Sequence, residues 1–193
     1  KRLDDPGDAV TRSLDRADRS VVRCDRIIEE LLDYTRTREP VREETPLDAW
    51  LSNVLEDFNL PAGVTVTQRL HSGATVAMDR NRMQGCVVNL LSNACQSMLE
   101  QAATPATCAL HVESRRVEGR VEIRVGDSGP GIAPEILEKI FEPMFSTRTF
   151  GVGLGLPIVK KSVEQHGGGV EIASETGIGT TAILWLPAQD LKE

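Results

Sequence analysis

Between Val10 and Leu31 the apolar side chains recur at intervals that alternate four and three: Val10, Leu14, Ala17, Val21, Cys24, Ile28 and Leu31. A seam with that period follows one side of a helix and commits it to packing against other helices, because one helix alone has nothing to bury the stripe against. Val22, Ile27 and Leu32 broaden it. Asp5 can cap the amino end, Pro6 suits the first helical position, and Pro40 stops the run. Charge density marks the same stretch: the first 44 residues carry 10 basic and 12 acidic side chains, the remaining 149 only 29 charges in all. The chain therefore reads as a solvated helical arm with its linker, residues 1–44, followed by a packed domain, residues 45–193. The arm is expected in a hairpin or dimeric bundle, the alternative being an amphipathic helix lying on its own domain.

From Thr45 onward the pattern becomes mixed. Thr45 is expected to cap a helix from Pro46 through Trp50, Leu51, Val54, Leu55 and Phe58. Val64–Leu70 and Ala74–Met78 read as strands, and Asp79 caps a long helix whose apolar residues are Met83, Val87, Leu90, Leu91, Ala94 and Met98. Cys108, Leu110 and Val112 alternate as a strand, and so do Val121, Ile123 and Val125. A stretch punctuated by Gly and Pro, 126–155, separates them from a helix at about 156–166 and the strands Val170–Ser174 and Thr180–Pro187. Helices and strands segregate without β-α-β alternation, which predicts an α+β, two-layer sandwich with a mostly antiparallel sheet.

Composition excludes several functions. A net charge of −7 argues against direct binding of duplex nucleic acid, which needs a basic face. Seven scattered aromatics offer no stacking platform for single strands. No apolar run approaches the roughly 20 residues of a membrane helix. The four cysteines form no C-x-x-C pair and there are three histidines, so a zinc site is not expected and free thiols in a reducing cytosol are.

Three clusters could carry chemistry. Asn89 and Asn93 lie one turn apart on the long helix, so both amides leave the same face. They are either helix-bridging hydrogen bonds or carbonyl ligands of Mg²⁺, a hard ion that takes few protein oxygens beside phosphates. Asp127 ends its strand on the side of Val121, Ile123 and Val125 and opens Asp127-Ser128-Gly129-Pro130-Gly131-Ile132. It either closes an Asx turn or accepts the exocyclic amine of a purine, with Gly129 and Gly131 letting backbone pass close to the ligand. Gly151-Val152-Gly153-Leu154-Gly155-Leu156 leads into a helix and leaves backbone N–H groups unshielded, an anion cradle. It is neither a dinucleotide fingerprint nor a Walker A loop. Between them Phe141 to Arg148 joins apolar anchors to a cation, which suits a lid whose arginine reaches a terminal phosphate; the plain alternative is a tethered surface loop. Gly177-Ile178-Gly179-Thr180 is, by itself, a hairpin turn.

In their order, NLLSNACQSM, DSGPGI, IFEPMFSTR, GVGLGLPIVKKSVEQHGG and GIGTTAILWLP closely resemble the asparagine, first glycine, phenylalanine, second glycine and terminal boxes of sensor histidine kinases. The wider superfamily shares the Bergerat ATP-binding fold with gyrase-type, chaperone and mismatch-repair ATPases. The resemblance implies ATP and Mg²⁺ as cofactors, Asn93 as metal ligand and Asn89 beside the metal or the phosphates. It implies Asp127 on adenine, supported by Thr180, with Gly129, Gly131 and Ile132 shaping the base pocket. Gly151, Gly153, Gly155 and Leu156 would free the lid and receive the phosphates, and Arg148 would take the place of a lid lysine. Gln96 stands where many relatives have a cation, and Met144 replaces a common phenylalanine, read as a packing swap. The NAxQxM form resembles the nitrogen-regulation type. Gyrase-type ATPases carry at the Asn89 position a glutamate that activates water; an amide cannot take that proton, so transfer is favoured over hydrolysis.

The implied activity is transfer of the ATP γ-phosphoryl group to a histidine, for relay to an aspartate of a response-regulator receiver domain in two-component signalling. A homodimer through the bundle, and a cytoplasmic location with any membrane anchor upstream, belong to the same expectation. RIIEELLDYTR looks like the second helix of the hairpin whose first helix presents the acceptor, and His71, His111 and His166 sit in no acceptor motif. The expectation is a truncated chain that binds ATP without phosphorylating itself. The alternatives are a serine-directed kinase of the same fold and a nucleotide-sensing dimerisation module without catalysis.

Overall fold

The computed structural model describes residues 39–100, 108–148 and 151–188, together with Val10, Thr11, Leu14, Ala17, Asp18, Val21, Cys24, Ile28, Leu31 and Leu32. The chain divides into two compact units, Lys1–Thr37 and Arg38–Glu193. In the first, every described residue is helical and exposed, including all seven members of the alternating seam. Asp5, Pro6, Val22 and Ile27 lie outside the described residues.

The second unit is built from β1 (Glu43–Pro46), α1 (Leu47–Asp57), β2 (Val64–Leu70), β3 (Thr75–Met78), α2 (Arg80–Glu100), β4 (Cys108–Val117), β5 (Arg120–Asp127), α3 (Pro134–Leu137), α4 (Gly155–Gln165), β6 (Gly169–Glu175) and β7 (Gly179–Pro187). Five strands form one sheet in the order β2-β4-β5-β7-β6, while β1 and β3 make a separate pair. All neighbours are antiparallel except β2 and β4, which run parallel. Alternation on β4 and β5 turns Leu110, Val112, Val121, Ile123 and Val125 into the core. Leu51 of α1, Met83, Val87 and Leu91 of α2 and Val159 and Val163 of α4 close over them, each at most 1% exposed. This two-layer α+β arrangement, helices on a mainly antiparallel sheet, is the one expected from the pattern.

Two local readings are corrected, that of Thr45 and that of the Gly/Pro stretch. Thr45 does not cap α1: it is buried in β1 opposite Val76, with its hydroxyl donating to Glu43 O at 3.2 Å. The first N–H of the helix, on Leu47, is met instead by the Ala74 carbonyl at 2.9 Å, so no side-chain cap is required. β1 also straddles the boundary at 44/45 suggested by charge density, because its partner is β3 and not the arm. Finally, a short helix, α3, interrupts the Gly/Pro stretch, with Pro134 at its start.

One junction fastens the ends of the two helices that flank the site. Asp79 caps α2 through Oδ1, which accepts the Arg82 N–H at 3.2 Å, while Oδ2 accepts the Val41 N–H at 3.1 Å. The Asp79 N–H donates to His166 Nε2 at 2.9 Å, and His166 Nδ1 lies 2.7 Å from the Ser162 carbonyl. This fixes the neutral tautomer with the proton on Nδ1. Arg42 and Arg82 both reach Gln165, on its carbonyl and its side chain, at 2.8 Å. Burial is the main force holding His166 below its ordinary value of 6.5, with Arg42 and Arg82 adding to it. The unfolded chain therefore binds the proton more readily, and the stability His166 contributes is present above pH 6.5 and lost as pH falls toward the lower folded value. Thermal unfolding between about pH 7.5 and about pH 5 should show a midpoint that drops, with a visibly shallower drop in His166→Asn. Equal slopes for the two proteins would contradict this.

Candidate nucleotide site

α2 spans the whole site. Near its middle Asn89 and Asn93 face the first turn of α4: a β-carbon placed on Gly155 would sit 3.4 Å from Asn89 Oδ1 and 4.0 Å from Asn93 Nδ2. α4 starts without a side-chain cap at Leu154, and its first residue, Gly155, is the one that lies against the two amides. Leu154 and Leu156 anchor this turn, the first fully buried and the second packed against the core.

One turn beyond Asn93, Ser97 meets the other end of the site, where Asp127 closes β5 opposite Thr180. Asp127 Oδ1 accepts the Gly129 N–H at 2.8 Å and the carboxylate also takes the Thr180 N–H, with the Ser97 hydroxyl, which donates to the Ala94 carbonyl at 2.9 Å, close by. Burial outweighs these bonds and the Arg148 charge, lifting the Asp127 carboxyl above its ordinary 3.8. Thr180 thus serves Asp127 through its backbone, while its hydroxyl pairs with Ser174 Oγ at 2.8 Å. Ser174 Oγ in turn accepts the Ile132 N–H at 2.8 Å, and Gly177 N–H donates to the Pro130 carbonyl at 2.7 Å. The turn at 177–180 is therefore a clamp on the Asp127–Ile132 loop as well as a hairpin. Gly131, at φ +72°, passes so near the Glu175 carbonyl that a β-carbon would lie 2.1 Å from its oxygen.

The loop before α4 carries Gly151 and Gly153. Gly153, at φ +75°, leaves no room for a β-carbon beside the Phe145 carbonyl, and its own carbonyl receives the Met144 N–H at 3.0 Å. Gly151 packs against Ser146 Oγ. Met144 is no packing swap: it adopts φ +66° and is 74% exposed, because the tie to Gly153 turns the residue outward. Phe141 is the anchor that does pack, half-buried with Lys160 Nζ 5.5 Å from its ring centre.

Arg148 leaves this loop for α2. Its guanidinium donates to Asn93 Oδ1 at 3.0 Å, to the Asn93 carbonyl at 3.1 Å and to Gln96 Oε1 at 2.7 Å, with Glu100 Oε2 3.6 Å from Nε. Ser97 and Glu100 were not singled out from sequence, although their spacing to Asn93, four and seven, continues its polar stripe. Ser174 carries no such signal. Asn89, Asn93, Gly155 and Arg148 thus gather at one end of the site, and Asp127, Gly129, Gly131, Ile132 and Thr180 at the other. An amide-and-glycine end suited to phosphates and a half-buried carboxylate suited to an amine are separated by little more than one turn of α2.

Known proteins resemble this chain in sequence and fold. Residues 78–190 match the family described as histidine kinase-, DNA gyrase B-, and HSP90-like ATPase. Sensor histidine kinase ZraS of Escherichia coli is 34% identical over 169 residues, covering 86% of this chain and 35% of that protein. The sensory histidine kinase/phosphatase NtrB of Vibrio alginolyticus is 31% identical over 158 residues, 77% of this chain and 41% of its own length. The chain thus spans little more than a third of these curated relatives. Among solved structures, full-length ShkA in complex with AMPPNP superposes with a TM-score of 0.77 over 97% of this chain and 40% of that one, at 23% identity, which speaks for the fold. The catalytic domain of histidine kinase ThkA superposes at 0.65 with 28% identity, over 76% of this chain and 95% of that one. With residues 78–190 matching that family and the fold shared with solved catalytic domains, the chain belongs to the family of histidine kinase-, DNA gyrase B- and HSP90-like ATPases, in which it carries the ATP-binding catalytic fold of the sensor histidine kinases.

Proposed function

We propose that this chain binds ATP with Mg²⁺ and serves as the phosphoryl-donating part of a sensor histidine kinase, acting on a histidine that lies outside these residues. The observation that carries the reading is the convergence on α2 of a half-buried carboxylate, Asp127, and two amides, Asn89 and Asn93, that face a glycine-opened helix start. Asp127 accepts the exocyclic amine of adenine, and the Gly129 and Thr180 N–H groups hold its carboxylate in place. Gly129, Gly131 and Ile132 wall the base, while Gly151, Gly153, Gly155 and Leu156 present backbone to the phosphates.

The donors fit a hard divalent ion. Asn93 Oδ1 already accepts from a cation, Arg148, and among the described residues no group of three His, Cys, Asp or Glu side chains offers a rival site. Asn93 would hold the ion, with Asn89 beside it; when bound, the ion neutralises charge on the transferred group. Asn89 has no basic site for a water proton, so this chain favours a positioned acceptor over hydrolysis.

The acceptor is none of the three histidines present. His166 is buried with both ring nitrogens engaged, His71 lies in the β2–β3 connection, and His111 faces out from β4. The exposed seam of the arm, with Val10, Leu14, Val21 and Ile28 each more than half exposed, supports a homodimeric helical bundle in the parent protein. A response-regulator receiver domain is the proposed partner for onward transfer, and the cytoplasm the proposed compartment. No described helix is long and apolar enough to cross a membrane. Calorimetry with Mg·ATP should register binding, while the same chain incubated with γ-labelled ATP should carry no phosphohistidine. Absence of any binding heat from folded protein would overturn the assignment, and label on His71, His111 or His166 would overturn the external acceptor.

A further inference from the structure

On α2 the side chains Asn89, Asn93, Gln96 and Glu100 follow one another at intervals of four, three and four, a polar stripe along one side of the helix. Arg148 lies along its lower half. Two of its nitrogens make three hydrogen bonds, two to Asn93 and one to Gln96, and the third faces the Glu100 carboxylate. The backbone that delivers it is tied locally, the Arg148 N–H donating to Ser146 Oγ at 3.1 Å. The arginine side chain is 26% exposed, so most of the guanidinium is committed to this dock.

The atom at the centre of the dock is the one the proposed function assigns to the metal. An amide oxygen can accept two hydrogen bonds, but two cations on one oxygen at contact distances repel strongly near a protein surface, more so when one is divalent. We propose that Arg148 guards the side-chain oxygen of Asn93, Oδ1: in the metal-free chain it stands in for the divalent ion, and Gln96 and Glu100 are the residues that hold it there. Metal-bound nucleotide can take its place only by releasing Arg148 from α2, which ties entry of the ion to movement of the loop that carries the arginine. Gln96 and Glu100 are then positioning residues, acting on the metal site through Arg148 without touching the ion. Gln96 serves in this arrangement as the receptor of a cation supplied from the loop.

This inference rests on the reading of Asn93 as metal ligand, and ADP tests it without a γ-phosphoryl group whose contact with Arg148 would mask the effect. Calorimetry of ADP with wild type, Arg148→Ala and Gln96→Ala, each in excess Mg²⁺ and in excess EDTA, separates the terms. Arg148→Ala should bind Mg·ADP about fivefold to tenfold more tightly than wild type, yet match wild type within about twofold for metal-free ADP. Gln96→Ala, which keeps the arginine but removes its 2.7 Å acceptor, should shift the same way by about twofold to threefold. Unchanged or weaker Mg·ADP binding by Arg148→Ala, or an equal gain without metal, removes the guard and leaves the functional reading standing. Failure of every protein to bind ADP removes that reading, and the guard with it.

Discussion

Asp127→Asn is expected to weaken binding of adenosine nucleotides about thirtyfold, ~2 kcal/mol, while leaving the empty protein no less stable than the parent. The wild-type carboxylate has acceptor oxygens only, one of them fixed by the Gly129 N–H at 2.8 Å. An asparagine can keep that bond, but it then offers an NH₂ group where the purine amine also brings donors. The stability half of the expectation follows from the sign of the pKa shift. Burial raises the Asp127 carboxyl above 3.8, so the folded chain prefers the protonated form. The stability gained from that form is fully present below pH 3.8 and is lost as pH rises through the folded value. At neutral pH the ionised group is thus a cost to the fold, which a neutral amide removes. Calorimetry for affinity and thermal unfolding for stability check the two halves. Affinity held within about twofold would remove Asp127 from the base site, and a marked fall in the unfolding midpoint would show that its role is structural.

Gly131→Ala is expected to cost about 3 kcal/mol of stability and, with it, most of the nucleotide affinity. Two penalties act at this position: the left-handed φ of +72°, and a β-carbon driven to 2.1 Å from the Glu175 carbonyl oxygen. Backbone cannot yield there without disturbing the Gly177–Pro130 and Ile132–Ser174 bonds that clamp the loop to β6 and β7. Gly119→Ala separates the terms, since Gly119 has the same φ of +72° and nothing within 4 Å of a β-carbon. That control should lose about 1 kcal/mol and bind nucleotide normally. Urea unfolding of the three proteins measures both; equal losses for Gly119→Ala and Gly131→Ala would mean that the close approach at Glu175 carries no energy.

The parts of this molecule that could be read from the chain are those that short-range chemistry dictates. The apolar period of α2, its Asp79 cap and the alternation on β4 and β5 are all signals within one element, and each corresponds to what the structure shows. Asn89 and Asn93 share a face for the same reason. What escaped depends on partners distant in sequence. β1 exists because β3 lies some thirty residues on, and Thr45 gives up a cap it could chemically provide because backbone from Ala74 arrives first. The clamp through Ser174 joins residues 42 apart, and nothing in a lone serine announces it. Arg148 can be read from the chain as a cation carried by a loop with apolar anchors, but its resting place on Gln96, 52 residues earlier, follows only from the packing of that loop against α2. The buried Glu122, held below its ordinary 4.5 by Arg115 and Arg120 although burial alone would raise it, is a further charge cluster that no local pattern marks.

The Asp79 junction has a mechanical meaning. One carboxylate terminates the helix from which both amides hang and, with its second oxygen, holds the peptide of Val41, two residues before the first strand. A tug or twist on the polypeptide upstream of Glu43 therefore need cross only a single side chain to reach the opening turn of α2, and the neighbouring grip of Arg42 on Gln165 relays the same displacement to the far end of α4. Motion arriving along the backbone from the amino-terminal direction is thereby delivered to α2 and α4 at once.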